Sequence, residues 1–335
     1  MNGINKVLIV GFGSAGRRHF ELAQRLLPRA HIKVLRSTGV SENAKEIPID
    51  IQLRTLADAL EFAPDIAIIA NPAVFHMRFA IPLANIGTHL LIEKPLATSI
   101  KEAKELLRIH DQKNAIVMCG YNLRYLSSLN HLRLLVQRES IGKVFSIRSE
   151  VGQRLQDWRP QVDYRTTVSA IRKLGGGVLF ELSHEIDYLM WLFGAINWVF
   201  ATLTTQSDLD IDVEDTAHIL FGFNRKSNGH QIIANLTMDY IRSDPTRTCV
   251  ITGELGTLKW DALNNTIHIY RSDKTGWELL FDAPKEDTYY AEWTCFLNAV
   301  TSMDASTNNG QEGLNVLKVI KSAQESSKKQ RIVKV

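Results

Sequence analysis

The sequence of 335 residues predicts an α/β domain with a doubly wound parallel sheet, followed by an α+β domain whose open sheet is predominantly antiparallel. Two observations predict this division. Up to residue 122, short apolar strands alternate with helices, which is the pattern of βαβ units with right-handed crossovers. Beyond residue 122, the chain is rich in strands that are joined by short turns. We therefore place one domain at residues 1–122 and the other at residues 123–335.

The elements of the first domain are predicted from runs of apolar, β-branched residues, which are typical of strands buried on both faces. The predicted strands are Lys6–Val10, Ile32–Leu35, Asp65–Ala70, Leu90–Ile92 and Ala115–Cys119. Apolar residues at helical spacing predict the helices Ala15–Leu27, Leu56–Phe62, Phe75–Ile86 and Ile100–His110. This alternation predicts a parallel sheet with helices on its faces.

The second domain is predicted from shorter strands with turn residues between them. The predicted strands are Val144–Val151, Val199–Thr205, Thr216–Phe223, Gln231–Tyr240, Thr248–Thr252, Thr257–Trp260 and Thr266–Tyr270. Residues 253–256 and 272–276 have the composition of hairpin turns. Helices are predicted from the glycines at 175–177 to Phe193, and over Tyr289–Ser302 and Glu312–Ser327.

The composition excludes several classes of protein. The 39 basic and 36 acidic residues nearly balance, so no general attraction to nucleic acid or membrane is expected. Three widely spaced cysteines match neither a disulfide framework nor a zinc site, and no other metal site is predicted. With no room for a signal peptide before the first strand, we expect a cytoplasmic protein.

A glycine-rich turn joins the first strand to the first helix and consists of Gly11, Phe12, Gly13, Ser14, Ala15 and Gly16. In this context the first glycine permits a tight turn, the second lets a pyrophosphate approach the backbone, and the third lets the helix pack on the strand. The helix N-terminus then presents its partial positive charge to the phosphates. The turn therefore predicts a dinucleotide site, the alternative being an ordinary turn.

The end of the second strand bears on the choice of cofactor. Arg36 and Ser37 lie there, and no acidic residue does. A carboxylate at this position binds the ribose hydroxyls of NAD, whereas an arginine accommodates the 2′-phosphate of NADP. We therefore predict NADP, with NAD as the alternative because an arginine can also stack on adenine without discriminating.

Lys94 follows a predicted buried strand, between Glu93 and Pro95. Ligands of open parallel sheets bind at the carboxyl ends of the strands, so Lys94 is a candidate proton donor near the reactive ring of the cofactor. The alternative is a lysine whose charged end simply reaches solvent. The bond before Pro95 is a candidate cis peptide.

A second set of candidate catalytic residues lies on the helix that follows the three glycines. Glu181 and His184 are three residues apart, as are His184 and Asp187, so each pair is expected to share a helical face. An imidazole beside carboxylates can relay a proton near neutral pH. The alternative is a core histidine with its orienting acid.

These motifs together resemble the Gfo/Idh/MocA family, the glucose–fructose oxidoreductase and inositol dehydrogenase group. The resemblance spans essentially the whole chain and rests on the glycine turn, on Glu93, Lys94 and Pro95, and on residues 175–187. It also rests on Asn71, Pro72, His76 and the segment Gly120–Tyr125, where the family crosses into its second domain. Many members carry an aspartate four residues before the histidine, whereas here Glu181 precedes His184 by three.

The resemblance implies an N-terminal Rossmann domain and NAD(P)-dependent oxidation or reduction of a sugar or cyclitol. It implies catalytic roles for Lys94, His184 and Glu181. The implied cofactor contacts, besides the glycine turn, Arg36 and Ser37, are Asn71, Pro72, His76, Glu93, Lys94 and Asn122. The candidate substrate contacts are Lys94, Tyr121, Trp158, Arg159, Arg165 and His184.

The segment from Asp157 to Arg165 resembles members associated with nucleotide-sugar enzymes, although a surface loop is an alternative. We predict an NAD(P)-dependent oxidoreductase that moves hydride between nicotinamide and a hydroxyl or carbonyl carbon of a sugar, nucleotide sugar or cyclitol. The alternatives are a catalytically weak NADPH-binding regulatory or assembly protein, or a reductase of a non-sugar substrate. An open sheet face predicts a homo-oligomer, either a dimer or a tetramer.

Overall fold

The computed structural model describes residues 3–36, 49–224, 230–304 and 308–335, and the chain forms two compact units. The first unit comprises Met1–Tyr121 and Tyr289–Leu317, and the second comprises Asn122–Thr288 and Lys318–Val335. The domain boundary predicted from the sequence places residues 289–317 in the second domain. They belong with the first unit because Trp293, Phe296 and Leu297 are buried in its core.

The first unit contains a parallel sheet, with six strands in the described residues, in the order β3-β2-β1-β4-β5-β6. Its strands are β1 (Lys6–Val10), β2 (His31–Leu35), β3 (Gln52–Leu53), β4 (Ile66–Ile69), β5 (His89–Glu93) and β6 (Val117–Gly120). Its helices are α1 (Ser14–Leu26), α2 (Leu56–Phe62), α3 (His76–Asn85) and α4 (Ile100–Lys113). Val7 in β1 lies opposite Ile32 and Ile66, and the central strands are buried on both faces. This burial explains their uninterrupted apolar sequences.

The second unit contains a mixed sheet, with nine strands in the described residues, in the order β14-β13-β12-β11-β7-β10-β9-β8-β15. Only the β7–β10 pair is parallel in this part of the chain, and the others are antiparallel. The strands are β7 (Val144–Gly152), β8 (Ile196–Thr204), β9 (Thr216–Phe223), β10 (Ile233–Asp239), β11 (Thr246–Gly253), β12 (Gly256–Asp261), β13 (Thr266–Arg271), β14 (Trp277–Asp282) and β15 (Val333–Lys334). The predicted fold class is thus confirmed.

The remaining helices are α5 (Ser127–Gln137), α6 (Leu155–Trp158), α7 (Val178–Glu181), α8 (His184–Phe193), α9 (Thr288–Ser302) and α10 (Gly310–Lys329). Neither α5 nor β14 is predicted from the sequence. The prediction of one continuous helix to Phe193 is wrong. Leu182, with φ −99° and ψ 24°, leaves the helical conformation and separates α7 from α8.

Candidate functional site

The glycine turn between β1 and α1 has the backbone geometry that its sequence predicts. Gly11 has φ +93°, and a Cβ there would lie 2.8 Å from the Ala70 carbonyl oxygen and from the Asn71 nitrogen. A Cβ on Gly16 would collide with the Gly11 carbonyl oxygen, whereas a Cβ on Gly13 would meet nothing within 4 Å. The turn is therefore closely packed at its first and third glycines and open at its second.

The N-terminus of α1 begins at this open position. Its first turn carries no acidic residue, and Gly13 contributes no side-chain cap. The N–H groups of the first turn of a helix have no partner within the helix, and they favour an anion. Phe12, beside them, packs edge-to-face on Phe20 at 5.7 Å between ring centroids. The first turn thus suits a pyrophosphate.

Asn71 follows β4 at the same edge of the sheet as the glycine turn. Its side chain is only 7% exposed, and neither its amide oxygen nor its amide nitrogen has a hydrogen-bond partner in the described residues. A buried amide without partners is unfavourable unless a ligand satisfies it. Asn71 is therefore suited to bind a polar group of a cofactor.

His76 links the segments that follow β4 and β5. Its Nε2 lies 2.8 Å from the Asn71 carbonyl oxygen, and its Nδ1 lies 3.1 Å from that of Pro95. Burial lowers the pKa of His76, although these carbonyl acceptors favour the protonated ring. Both ring nitrogens of His76, a predicted cofactor contact, therefore face backbone carbonyl groups. Pro72 precedes the short helical turn that leads to His76.

Glu93 ends β5, and the Lys94–Pro95 bond after it is cis, as predicted. His19 Nε2 lies 2.9 Å from Glu93 Oε1, and the Lys94 backbone N–H donates to Oε2 at 3.3 Å. Burial opposes ionisation of Glu93, but its contact with His19, both as a hydrogen bond and electrostatically, and the charge of Lys94 hold its pKa below the ordinary value. Lys94 itself is half-buried beside this carboxylate.

In the second unit, the N-terminal half of α8 is anchored by a buried ion pair. The Arg124 guanidinium donates to both carboxylate oxygens of Asp187, at 2.9 and 2.6 Å, and both side chains are almost fully buried. His184, the first residue of α8, lies three residues before Asp187 and is half-buried. Asn122 donates to the Thr288 hydroxyl at 2.8 Å.

Glu181 and His184 lie at the end of one helix and the start of the next, so the predicted helical face does not join them. The Ser169 hydroxyl donates to Glu181 Oε2 at 3.1 Å. Glu214, which the sequence analysis missed, accepts from the Leu179 N–H at 3.2 Å, and burial raises its pKa. Gly177 has φ +109°, and a Cβ there would collide with the Glu214 carboxylate. No sequence pattern marks Glu214, because its partner lies 35 residues away.

Two of the predicted substrate contacts in the second unit, Trp158 and Arg165, already have protein partners. The Trp158 indole donates to the Gln153 carbonyl at 3.2 Å and packs edge-to-face on Tyr240. The Arg165 guanidinium forms a bidentate salt bridge with the Asp163 carboxylate. The Arg159 side chain is exposed. In the first unit, Tyr121 is completely buried. Arg36 is half-buried just after β2, and Ser37 lies outside the described residues.

Comparison with known proteins identifies the family. Residues 5–121 match the model of an oxidoreductase family with an NAD-binding Rossmann fold. Residues 129–259 match the GFO/IDH/MocA C-terminal domain. The chain belongs to the Gfo/Idh/MocA family. The expectation of an NAD(P)-dependent oxidoreductase is thereby confirmed.

Relatives of this family member include named dehydrogenases. UDP-N-acetylglucosamine 3-dehydrogenase of Acidithiobacillus ferrooxidans is 25% identical over 92% of this chain and 93% of its own. The scyllo-inositol 2-dehydrogenase (NADP(+)) IolW of Bacillus subtilis is 22% identical, over 98% and 95%. The WlbA dehydrogenase of Bordetella pertussis, solved with NADH and UDP-GlcNAcA, has the same fold at 20% identity, with a TM-score of 0.80 over 99% of both chains.

Metal-binding clusters and membrane-spanning helices are both absent from the described residues. Within residues 3–36, 49–224, 230–304 and 308–335, no group of three or more His, Cys, Asp or Glu residues is arranged to hold a metal ion. In the same part of the chain, none of the helices has the length and apolar character needed to cross a membrane.

Proposed function

We propose that the chain is an NADP(H)-dependent oxidoreductase acting on a hydroxyl or carbonyl carbon of a sugar, nucleotide sugar or cyclitol. The observation that carries the proposal lies in the first unit. There, a half-buried lysine, Lys94, stands beside the carboxylate of Glu93 at the end of a strand of the sheet that also carries the glycine turn. An amine at this sheet edge is suited to exchange a proton with the oxygen of a reacting carbon.

The residues at this edge fit a nicotinamide dinucleotide. The open backbone at Gly13 and the uncapped first turn of α1 would receive the pyrophosphate. The partnerless amide of Asn71 would bind a polar group of the cofactor. The bound cofactor supplies or accepts the hydride, while the protein positions the substrate and moves the proton.

NADP is the cofactor we propose, with NAD as the alternative. Arg36 lies directly after β2, where a carboxylate would select NAD, and a guanidinium can bind a 2′-phosphate through two hydrogen bonds. The relative IolW is named as an NADP(+) enzyme, which supports this choice. Competitive binding of NADP⁺ and NAD⁺ to the wild type and to Arg36→Ala would test it.

His184 is proposed as the partner of Lys94 in proton transfer. It begins α8, and the Arg124–Asp187 pair fixes that helix three residues further on. The imidazole is the side chain most often used in enzymes as a general acid or base. We retain Glu181 as a third proposed acid–base group and Tyr121, Trp158, Arg159 and Arg165 as proposed substrate contacts.

The substrate class is proposed from the relatives, whose names specify a UDP-sugar and an inositol. A thermal-shift screen would use NADP⁺ or NAD⁺ with UDP-N-acetylglucosamine, scyllo-inositol and glucose. A ligand that binds only the folded protein raises its apparent melting temperature. The compound that stabilises the protein should also reduce the cofactor.

Lys94→Ala tests the catalytic role, with the exposed Lys101→Ala as the matched control. We expect Lys94→Ala to lower kcat by at least about 100-fold with little change in cofactor affinity, since general acid–base catalysis contributes about 10²–10⁴-fold. Lys101→Ala should behave as wild type. Turnover retained in Lys94→Ala would refute the assignment.

The break between α7 and α8, together with the short spacing from Glu181 to His184, favours a second candidate: a cofactor-binding regulatory or assembly protein with weak catalysis. The same screen separates the two candidates. Stoichiometric cofactor binding without oxidation of any sugar would support the second. Turnover of a non-sugar compound, such as an imine, would support a reductase of a different substrate class.

We also propose a cytoplasmic homo-oligomer. None of the three cysteines forms a disulfide bond in the described residues, which suits a reducing compartment. Phe200 and Leu220 lie opposite each other on β8 and β9, and both are more than a third exposed. A second copy of the chain would cover this face. Light scattering of the wild type and Leu220→Glu would test it, with the variant expected to dissociate.

A further inference from the structure

Two buried side chains and one partly buried carboxylate of the first unit form a continuous hydrogen-bonded chain that ends beside Lys94. The Trp293 indole N–H, from α9, donates to His19 Nδ1 at 2.8 Å. His19, from α1, contacts Glu93 Oε1 through Nε2 at 2.9 Å. The other oxygen of Glu93 accepts from the Lys94 backbone N–H. Helices α1 and α9 are thereby connected to the end of β5.

The direction of these hydrogen bonds follows from the chemistry of tryptophan. An indole nitrogen can only donate, so His19 Nδ1 must accept and carries no proton. The single proton of the neutral ring is then on Nε2, and it is donated to Glu93. A doubly protonated ring would place an N–H against the Trp293 N–H, so this contact favours the neutral ring.

The surroundings restrict the imidazole further. His19 is 1% exposed, and its ring packs against the rings of Tyr289 and Trp293, with centroids 6.0 and 6.1 Å away. A ring so enclosed cannot rotate without losing both hydrogen bonds. The orientation of the Glu93 carboxylate is therefore set in part by His19 and Trp293, which lie outside the glycine turn and outside the segment Glu93–Pro95.

We propose that His19, held by Trp293, is a positioning residue that keeps Glu93 ionised and correctly oriented beside Lys94. The inference rests on the proposed catalytic role of Lys94. Because the ring is neutral, His19 stabilises the carboxylate by a hydrogen bond without adding a second positive charge near the lysine. Without that bond, Glu93 would protonate more readily and Lys94 would lose part of its negative neighbour.

Three variants separate this role from simple packing. Glutamine offers an acceptor and a donor at nearly the separation of the two imidazole nitrogens, so His19→Gln should preserve the hydrogen-bonded chain. His19→Leu fills the space but removes both bonds. Trp293→Phe keeps most of the ring packing and removes only the donor to His19. The exposed His31→Leu is the control.

The first readout needs neither cofactor nor substrate. In ¹⁵N spectra of the labelled wild-type protein, we expect the His19 ring to be in the neutral Nε2–H form. In Trp293→Phe, the spectrum should no longer show this form alone, because the donor to Nδ1 is gone. The acetylation rate of Lys94 by acetic anhydride, measured against Lys101, should rise at least about threefold in His19→Leu and stay near wild type in His19→Gln. A protonated ring or the Nδ1–H form in the wild type would overturn the proposal.

The second readout is turnover of the most active compound in the sugar panel. We expect His19→Leu to lower kcat about 10- to 100-fold with KM for the cofactor little changed, because a small displacement of a reacting group has effects of this size. His19→Gln should recover most of the loss. If Lys94→Ala is inactive but His19→Leu matches wild type, the positioning role is refuted while the proposed function stands. If Lys94→Ala is active, the proposed function fails, and the spectra and acetylation rates still decide the role of His19.

Discussion

Replacing Arg124 by methionine removes one partner of the ion pair that anchors α8. The side chains of Arg124 and Asp187 are 2% and 1% exposed, and two hydrogen bonds of 2.6 and 2.9 Å join them. In Arg124→Met the Asp187 carboxylate would remain buried without its cation. We expect the free energy of unfolding to fall by about 3–5 kcal/mol, the usual cost of breaking a buried pair.

This loss is large compared with the roughly 5–15 kcal/mol that stabilises a typical protein. At about 2–4 °C for each kcal/mol in units of 150–250 residues, it corresponds to a decrease of roughly 10 °C in Tm. Differential scanning calorimetry would measure this decrease. Because His184 lies in the same helix, we also expect lower kcat in the folded variant at temperatures well below its Tm.

The double variant Arg124→Met/Asp187→Leu is the matched control. Replacing a buried ion pair by apolar residues is often neutral, so the double variant should recover most of the lost stability. The reasoning is refuted if Arg124→Met loses less than about 1 kcal/mol, or if removing Asp187 as well brings no recovery.

Four further predictions concern glycines, carboxylates and thiols. Gly16→Ala should unfold at lower temperature because its Cβ collides with the Gly11 carbonyl, whereas Gly13→Ala should keep its stability and lose affinity for NADP⁺ in titration calorimetry. The pKa of Glu93 is lowered, so the ionised carboxylate stabilises the folded protein above its ordinary value of 4.5, and this stability is lost as the pH falls through the lowered pKa. The free energy of unfolding of Glu93→Gln should therefore depend less on pH below 4.5 than that of the wild type. Burial raises the pKa of Glu185, so the folded protein favours the neutral carboxyl group. The resulting stability is fully present below the ordinary value of 4.5 and is lost as the pH rises through the raised pKa. Glu185→Gln should remove this pH dependence. Burial raises the pKa of Cys249 to about 12, so its thiol should not react with iodoacetamide at pH 8, whereas the half-buried Cys295 should react. Mass spectrometry would measure both modification rates, and equal rates would contradict the prediction.

The first sheet could be predicted from the sequence because its strands are buried on both faces. Val7–Val10 and Ile66–Ile69 are completely buried, so the sequence has no polar interruption within them. The predicted bounds of α2 agree with the structure. A capping box between Thr55 and Asp58 fixes its start, and a left-handed Ala63 fixes its end.

Elements with weak local signals were missed. The edge strand β3 has only two residues, too few to show an alternating pattern. The half-exposed β14 lies at the edge of the second sheet, and Trp277 and Leu279 in it are about half exposed. In such strands the contrast between the two faces is too small to identify them from the sequence.

The contacts that orient Glu93 could not be predicted for a different reason. His19 is 74 residues from Glu93 and 274 residues from Trp293. Local spacing gives no information on such pairs, and only the packing of α9 into the core of the first unit brings Trp293 to His19. The motifs predict where a site lies, whereas its supporting contacts depend on the tertiary structure.

The interrupted helix changes how the spacing of Glu181 and His184 should be interpreted. In a continuous helix, removing one residue would rotate all later side chains by about 100°. Here α7 is held by Glu214, which accepts from the Leu179 N–H, while α8 is held by the Arg124–Asp187 pair. The two helices have separate anchors, so a shorter connection between them need not change the orientation of His184. The departure from the family pattern therefore bears on Glu181 alone, and it leaves the proposed role of His184 intact.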